Sequence, residues 1–208
     1  MKSLITIVVL IITSLNMYNA QDNRDSLQFG PKVGVNYSNV YDSQGDNFSA
    51  DGKPGLVFGG FVAIPIGTYL GVHSEVLFSQ KGFRGSGSIL GSSYEFTRTT
   101  SYIDVPLYFA LKPTNNFTFV VGPQFSYLLN RKDVFTSSGS SFAQEQEFEN
   151  ENIRKNTLGA SMGFDIKINR AIIGTRANWD LQENHGDGTA STPRYKNQWL
   201  QLSLGFRF

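Results

Sequence analysis

Trp199-Leu-Gln-Leu-Ser-Leu-Gly-Phe-Arg-Phe208 carries apolar side chains at every second position: Leu200, Leu202, Leu204, Phe206 and Phe208. Between them stand Gln201, Ser203, Gly205 and Arg207, all polar or small. Successive side chains of a β-strand point to opposite faces, so the stretch predicts a strand with one apolar and one polar face. An apolar face of this kind needs cover, from a second protein layer or from lipid.

The same period of two recurs along the chain in segments of about 10–14 residues, long enough to cross a bilayer when tilted. Residues 27–37 set Phe29, Val33, Val35 and Tyr37 against Lys32, Gly34 and Asn36. Residues 69–81 set Leu70, Val72, Val76 and Phe78 against His73, Glu75 and Ser79. Residues 99–112, 117–130, 156–168 and 171–182 alternate likewise. Residues 55–66 are the weakest case and read as a strand from β-branched and aromatic content rather than from alternation.

With the terminal stretch this makes about eight strands, an even number, joined alternately by short turns and long polar segments. The turns fall at 67–68, 113–116 and 169–170, the long segments at 38–54, 82–98, 131–155 and 183–196. Short turns on one side of the membrane and long loops on the other are the layout of an outer-membrane barrel. The expected fold is therefore all-β: an eight-stranded antiparallel up-and-down transmembrane β-barrel with short periplasmic turns and long extracellular loops. Both ends of the barrel chain are then periplasmic, and the terminal strand pairs with residues 27–37.

Composition agrees. Charged residues form 17% of the 208-residue chain, below the roughly 25% of soluble domains. The net charge of +1 gives no electrostatic case for nucleic acid. Cysteine is absent, which excludes disulfides, thiolate metal sites and a cysteine nucleophile. A basic start, Met1-Lys-Ser3, precedes the apolar run 4–12 and the small residue Ala20. That pattern predicts a secretory signal peptide over residues 1–20, leaving 21–208 as the barrel domain.

If lipid lies outside, the polar face lines the interior. The inward set is His73, Glu75, Asp104, Lys112, Asp165, Lys167, Arg176, Asp180 and Arg207, with Tyr102, Tyr108 and Gln124. A barrel of about eight strands is only wide enough for its own side chains. Glu75, Asp104, Asp165, Lys167, Arg176, Asp180 and Arg207 are thus expected to form a packed lumen charge network rather than a pore. A lipocalin-like barrel would reverse the faces and put Lys and Glu outside. Here the polar face is mostly Gly, Ser, Thr and Asn. Aromatics gather at the segment ends, Phe29, Tyr69, Phe117, Phe206 and Phe208 on one side, Tyr37, Phe78, Phe125, Tyr127 and Trp179 on the other, as at membrane interfaces.

Gly30-Pro-Lys-Val-Gly-Val-Asn-Tyr-Ser38, Glu75-Val-Leu-Phe-Ser-Gln-Lys-Gly82, Tyr102-Ile-Asp-Val-Pro-Leu-Tyr108, Val121-Gly-Pro-Gln-Phe-Ser-Tyr-Leu-Leu129 and Leu202-Ser-Leu-Gly-Phe-Arg-Phe208 resemble the PorT-like outer-membrane barrels of Bacteroidetes. The resemblance covers nearly all of residues 21–208. It implies a bacterial outer-membrane location among lipid and lipopolysaccharide, and partners in a secretion or envelope complex, since the family's namesake is an accessory of type IX secretion. Leu204, Phe206 and Phe208 resemble the signal read by the barrel-assembly machinery. The family has no catalytic residues to carry across.

Chemical motifs are sparse. His73-Ser74-Glu75 has the residue types of a hydrolase, but alternation turns Ser74 away from its neighbours. His185 stands beside Gly186-Asp-Gly188 with no serine partner evident. Asp42-Ser-Gln-Gly-Asp-Asn47 with Asp51 offers oxygen ligands without the spacing of an EF-hand. The acidic run 145–151 reads as a solvated loop. No phosphate loop or zinc spacing occurs, and no cofactor is expected. The functional expectation is a non-enzymatic barrel with a structural or interaction role, the alternative being a small-solute channel or binding barrel.

Overall fold

The computed structural model describes residues 24–42, 50–89, 92–137, 140–146, 154–184 and 195–208. These residues form nine strands: β1 (Gln28–Asp42), β2 (Ala50–Pro65), β3 (Leu70–Ile89), β4 (Ser92–Thr114), β5 (Phe117–Ser137), β6 (Ser140–Gln146), β7 (Asn156–Ile168), β8 (Ala171–Asp180) and β9 (Tyr195–Phe206). Every strand pairing is antiparallel. The order β4-β3-β2-β1-β9-β8-β7-β5 is closed by β4 pairing with β5, which gives an eight-stranded barrel. Closure removes the open edges that the first and last strands would otherwise present. β9 lies against β1, with Leu204 opposite Val33 and Leu200 opposite Tyr37.

Three tight connections cluster at one end. Between β7 and β8 only two residues intervene, and Asn169 takes a left-handed conformation with φ 54°. Asparagine tolerates that region because its side chain bonds locally, which suits a two-residue hairpin turn.

The other end differs from the expectation of loose polar loops. Residues 82–98 are a paired hairpin, with register running from Gly82 opposite Thr99 to Ile89 opposite Ser92. β5 continues to Ser137 and folds back as β6, which pairs only with β5 among the described residues. β1 and β2 likewise run beyond the predicted 37 and 55. Once β3 and β4 are held in register by the barrel, further ladder hydrogen bonds need no additional alignment. In water those strands need no apolar face, so the period-two signal vanishes while pairing persists. Gly82 marks the passage from barrel to extension on β3. Its φ of 154° and its closeness to the Arg98 carbonyl, 2.0 Å from where a Cβ would lie, leave room for glycine alone.

Leu56, Phe58, Val76, Leu107, Met162, Leu202 and Leu204 are exposed on the outer wall, Leu204 at 58%. Glu75, Asp104, Asp165 and Arg176 are all at least 98% buried. The faces are thus apolar outside and polar inside, the reverse of a lipocalin. The inner wall is not purely polar. Val57, Phe61, Leu77 and Trp199 also point inward, and Val40, Phe83 and Tyr195 pack with Ala50 and Phe96 near the extended end. Trp199, at the head of the terminal stretch, follows the inward parity of Gln201 and Ser203.

The predicted signal peptide, His185, residues 43–47 of the candidate cation loop and residues 147–151 of the acidic run lie outside the described residues.

Candidate functional site

The barrel interior holds three layers of ionic contacts and a basic rim. The deepest layer is built on Arg176 of β8. Its Nη1 lies 2.8 Å from Asp165 Oδ1, and its Nη2 is 3.1 Å from both Asp165 Oδ2 and Glu75 Oε1. Lys32 Nζ donates to the same Glu75 oxygen at 2.6 Å. β2 lies between the strands of these two residues, and Gly59, opposite Lys32, adds no side chain there. His73 Nε2 stands 3.4 Å from Glu75 Oε1, its ring 5.5 Å from that of Phe61 and edge-on to Tyr108. The Arg176 guanidinium lies 5.2 Å from the Tyr108 ring centroid, and the Tyr108 hydroxyl is 2.9 Å from Ser161 Oγ. Two carboxylates against Arg176 and Lys32 balance in charge, as buried ions must.

Above it, Lys81 Nζ donates to Asp104 Oδ1 at 3.0 Å and Ser126 Oγ at 3.2 Å. The ammonium sits 3.7 Å from the Trp199 ring centroid and 4.4 Å from that of Tyr102, within cation–π range. Asp180 accepts 2.6 Å from Asn197 Nδ2.

At the extended end Arg98 grips Asp133 with two bonds of 2.8 Å, Nε to Oδ1 and Nη2 to Oδ2, and its Nη1 donates to the Tyr195 hydroxyl at 2.6 Å. Arg131 Nε adds a contact of 3.2 Å to Asp133. Burial opposes the charge on Arg98, but its bonds to Asp133 and Tyr195 outweigh that and hold the guanidinium above the ordinary arginine range.

Of the seven residues expected in one charge network, the structure joins Glu75, Asp165 and Arg176. Asp104 belongs to the separate Lys81 layer, and Asp180 is hydrogen-bonded to Asn197 beside it. Lys167 and Arg207 stand apart from the network. Lys167 has no ion pair or side-chain hydrogen bond among the described residues, and Arg207 Nε donates instead to the Asn169 carbonyl at 2.8 Å. The reason is depth: both sit at the tight-turn rim, below the carboxylates. Lys32 and Lys81, missing from the expected set, supply its cations. Parity already placed them inward, Lys32 beside Asn36 and Lys81 beside Ser79. Gln124 lies inside, its Nε2 donating to Ser126 Oγ at 3.3 Å.

Ser74 is on the opposite face from His73 and Glu75, its hydroxyl donating to the Pro106 carbonyl at 3.0 Å. Ser74 of the hydrolase-like triplet therefore does not meet His73 and Glu75, which face each other inside the barrel. No group of metal-ligating side chains occurs among the described residues. Leu204 lies on the outer wall, while Phe29, Phe206 and Phe208 form a ring cluster at the tight-turn end with centroids 5.9 and 5.1 Å apart.

A closed antiparallel barrel with an apolar outer band and ion pairs inside is a transmembrane barrel. The chain belongs to the outer membrane protein beta-barrel domain family, whose model matches residues 19–184. Its place is the bacterial outer membrane, with the tight turns periplasmic and the extensions outward. No curated protein matches it by sequence. Among solved structures it is similar to Ail, the attachment invasion locus protein of Yersinia pestis, solved with the heparin analogue sucrose octasulfate. That match has 13% identity, 88% of this chain and 99% of the other, and a TM-score of 0.46. It is also similar to Neisserial surface protein A (11%, 86% and 97%, TM-score 0.46) and to OprG of Pseudomonas aeruginosa (12%, 88% and 94%, TM-score 0.35).

Proposed function

We propose that this chain is a non-enzymatic structural and interaction barrel whose lumen is a plug, and whose outer extensions and periplasmic rim meet other envelope components. The observation that carries this reading is Arg176, fully buried and bonded at once to Asp165 beside it and Glu75 across the lumen. An open conduit for solutes would leave such a group hydrated rather than ion-paired on both sides. By resemblance to the PorT-like barrels of Bacteroidetes, the partner is a secretion or envelope complex, type IX secretion in the namesake's case. Leu204, Phe206 and Phe208 would be the segment engaged by the barrel-assembly machinery, and lipopolysaccharide the outer-leaflet neighbour.

Two measurements test this. A tag on the outer extension, followed by purification from native membranes, is expected to bring down envelope proteins; recovery of lipid and assembly factors alone would remove the case for a complex. In planar bilayers the purified barrel is expected to be silent. A stable open state abolished by filling the lumen would replace the plug with the small-solute channel.

A further inference from the structure

At the periplasmic mouth, below the Arg176 layer, the lumen ends in a cavity of about 20 Å³. His73, Lys112, Thr118, Asp165 and Lys167 line it. Lys112 Nζ is anchored to the Gly67 carbonyl at 2.9 Å and to the Arg24 carbonyl. The Lys167 ammonium has no such anchor. It lies within reach of repulsion from both Arg207 and Lys112, with Asp165 its opposing charge. Asp165 is already committed, both oxygens being held by Arg176. A second observation points the same way. The Thr118 hydroxyl, on a side chain 97% buried at the cavity wall, has no hydrogen-bond partner. A buried hydroxyl without a partner is rare in folded proteins.

We infer that this mouth is a binding site for a small oxyanion of the carboxylate or phosphate class, entering from the periplasm between Lys167, Lys112 and the Thr118 hydroxyl. Three features carry the assignment. Lys167 supplies charge that the network above does not neutralise, and Thr118 supplies a donor fixed by its strand, opposite Asp165 in register. The filled lumen above directs access to the periplasmic side. The cavity accepts only the tip of a ligand, the space of about one water molecule, so the anion is a single group rather than a bulky polyanion. The site goes beyond the structural reading above and does not depend on which partner, if any, that reading proves to involve.

The test uses the folded barrel in zwitterionic micelles. Inorganic phosphate or acetate is titrated in place of chloride at constant ionic strength, and binding is followed by backbone amide NMR. Saturable shifts at Thr118 and Lys167 are expected with at least one anion. Phosphate alone assigns the phosphate class, acetate alone the carboxylate class, and both together the shared chemistry. Lys167→Met is expected to weaken binding about tenfold or more, the loss of one charge-assisted hydrogen bond. Thr118→Val, close in shape, weakens it by a smaller factor and carries the test alone if Lys167→Met does not fold. Lys132→Met, on the exposed outer part of β5, leaves it unchanged. No saturable shift with either anion, or equal binding by the parent and Thr118→Val, overturns the assignment.

Discussion

Arg176 and Asp165 meet as a two-pronged ion pair on neighbouring strands, Nη1 to Oδ1 at 2.8 Å and Nη2 to Oδ2 at 3.1 Å. The pairing is diagonal: Arg176 is opposite Gly163 in register, and Asp165 is opposite Gly174. Glycine at 174 leaves the space the guanidinium needs, and Nη2 also donates to Glu75 on the far wall.

Removing that guanidinium leaves the buried Asp165 carboxylate without its cation, while Glu75 keeps Lys32. Arg176→Met is expected to cost about 3–5 kcal/mol, the range for breaking a buried pair by deleting one partner. Equilibrium urea unfolding in lipid vesicles measures it. The double variant that adds Asp165→Asn keeps the Lys32–Glu75 pair and should recover part of the loss. A double variant no more stable than the single would contradict the assignment of the cost to unpaired charge.

The outer wall makes an independent prediction. Leu204 faces lipid two residues inside the aromatic Phe206 at the tight-turn end, opposite Val33 of β1. Leu204→Arg should destabilise the folded barrel by roughly 1–3 kcal/mol, between the costs of a cation at the interface and at the bilayer midplane. Equal folding yields for parent and variant in detergent-free vesicles would count against the outward face.

Gly174 is a packing requirement. A Cβ there would stand 2.7 Å from Asp165 Oδ1 and 2.8 Å from Ser203 Oγ. Gly174→Val is expected to cost about 1–3 kcal/mol by overpacking. Gly67→Ala, where a Cβ meets nothing within 4 Å, should change stability by less than about 0.5 kcal/mol. Matched unfolding curves for the two variants would show that crowding at the ion pair is immaterial.

Lys81 and Asp104 should be energetically coupled. Lys81→Met, Asp104→Asn and the double variant form a cycle whose interaction energy is expected between about 0.5 and 3 kcal/mol. A value indistinguishable from zero would mean that Lys81 is held by Ser126 and the Trp199 and Tyr102 rings without help from Asp104.

Outside the membrane the same chemistry matters less. The Arg98–Asp133 pair is about one-fifth exposed, with side-chain accessibilities of 18% each. Asp133→Asn should cost the barrel no more than about 1 kcal/mol, while opening the β4–β5 extension to proteolysis. Limited digestion with mass mapping reads this directly; an extension as resistant as the parent's would mean strand pairing alone holds it.

Much of the fold was legible because a strand's side-chain period is two and lipid tolerates only one face. Alternation over 27–37 or 69–81 thus names the inward residue at each step, Lys32 and Lys81 included. The outer hairpins were not legible, since strands paired in water on both faces need no apolar alternation. Residues 82–98 and 131–146 therefore read as polar loops although they continue β3, β4 and β5. The register break between Gly52 and Val57 likewise leaves no mark in composition.

What the chain determined by itself is parity within the membrane: which side chains meet lipid and which enter the lumen, including the charged members of the Arg176 and Lys81 layers. Partnership was decided by tertiary structure alone. Glu75 and Arg176 are 101 residues apart and meet only because closure of β1 on β9 brings β3 and β8 to face each other across the lumen. Depth was decided in the same way. Lys167 is two residues from Asp165 on the same face, yet one pleat nearer the periplasm it leaves the ion pairs and joins the basic rim. Alternation along one strand says which way a side chain points; strand stagger around the barrel sets the height at which it arrives.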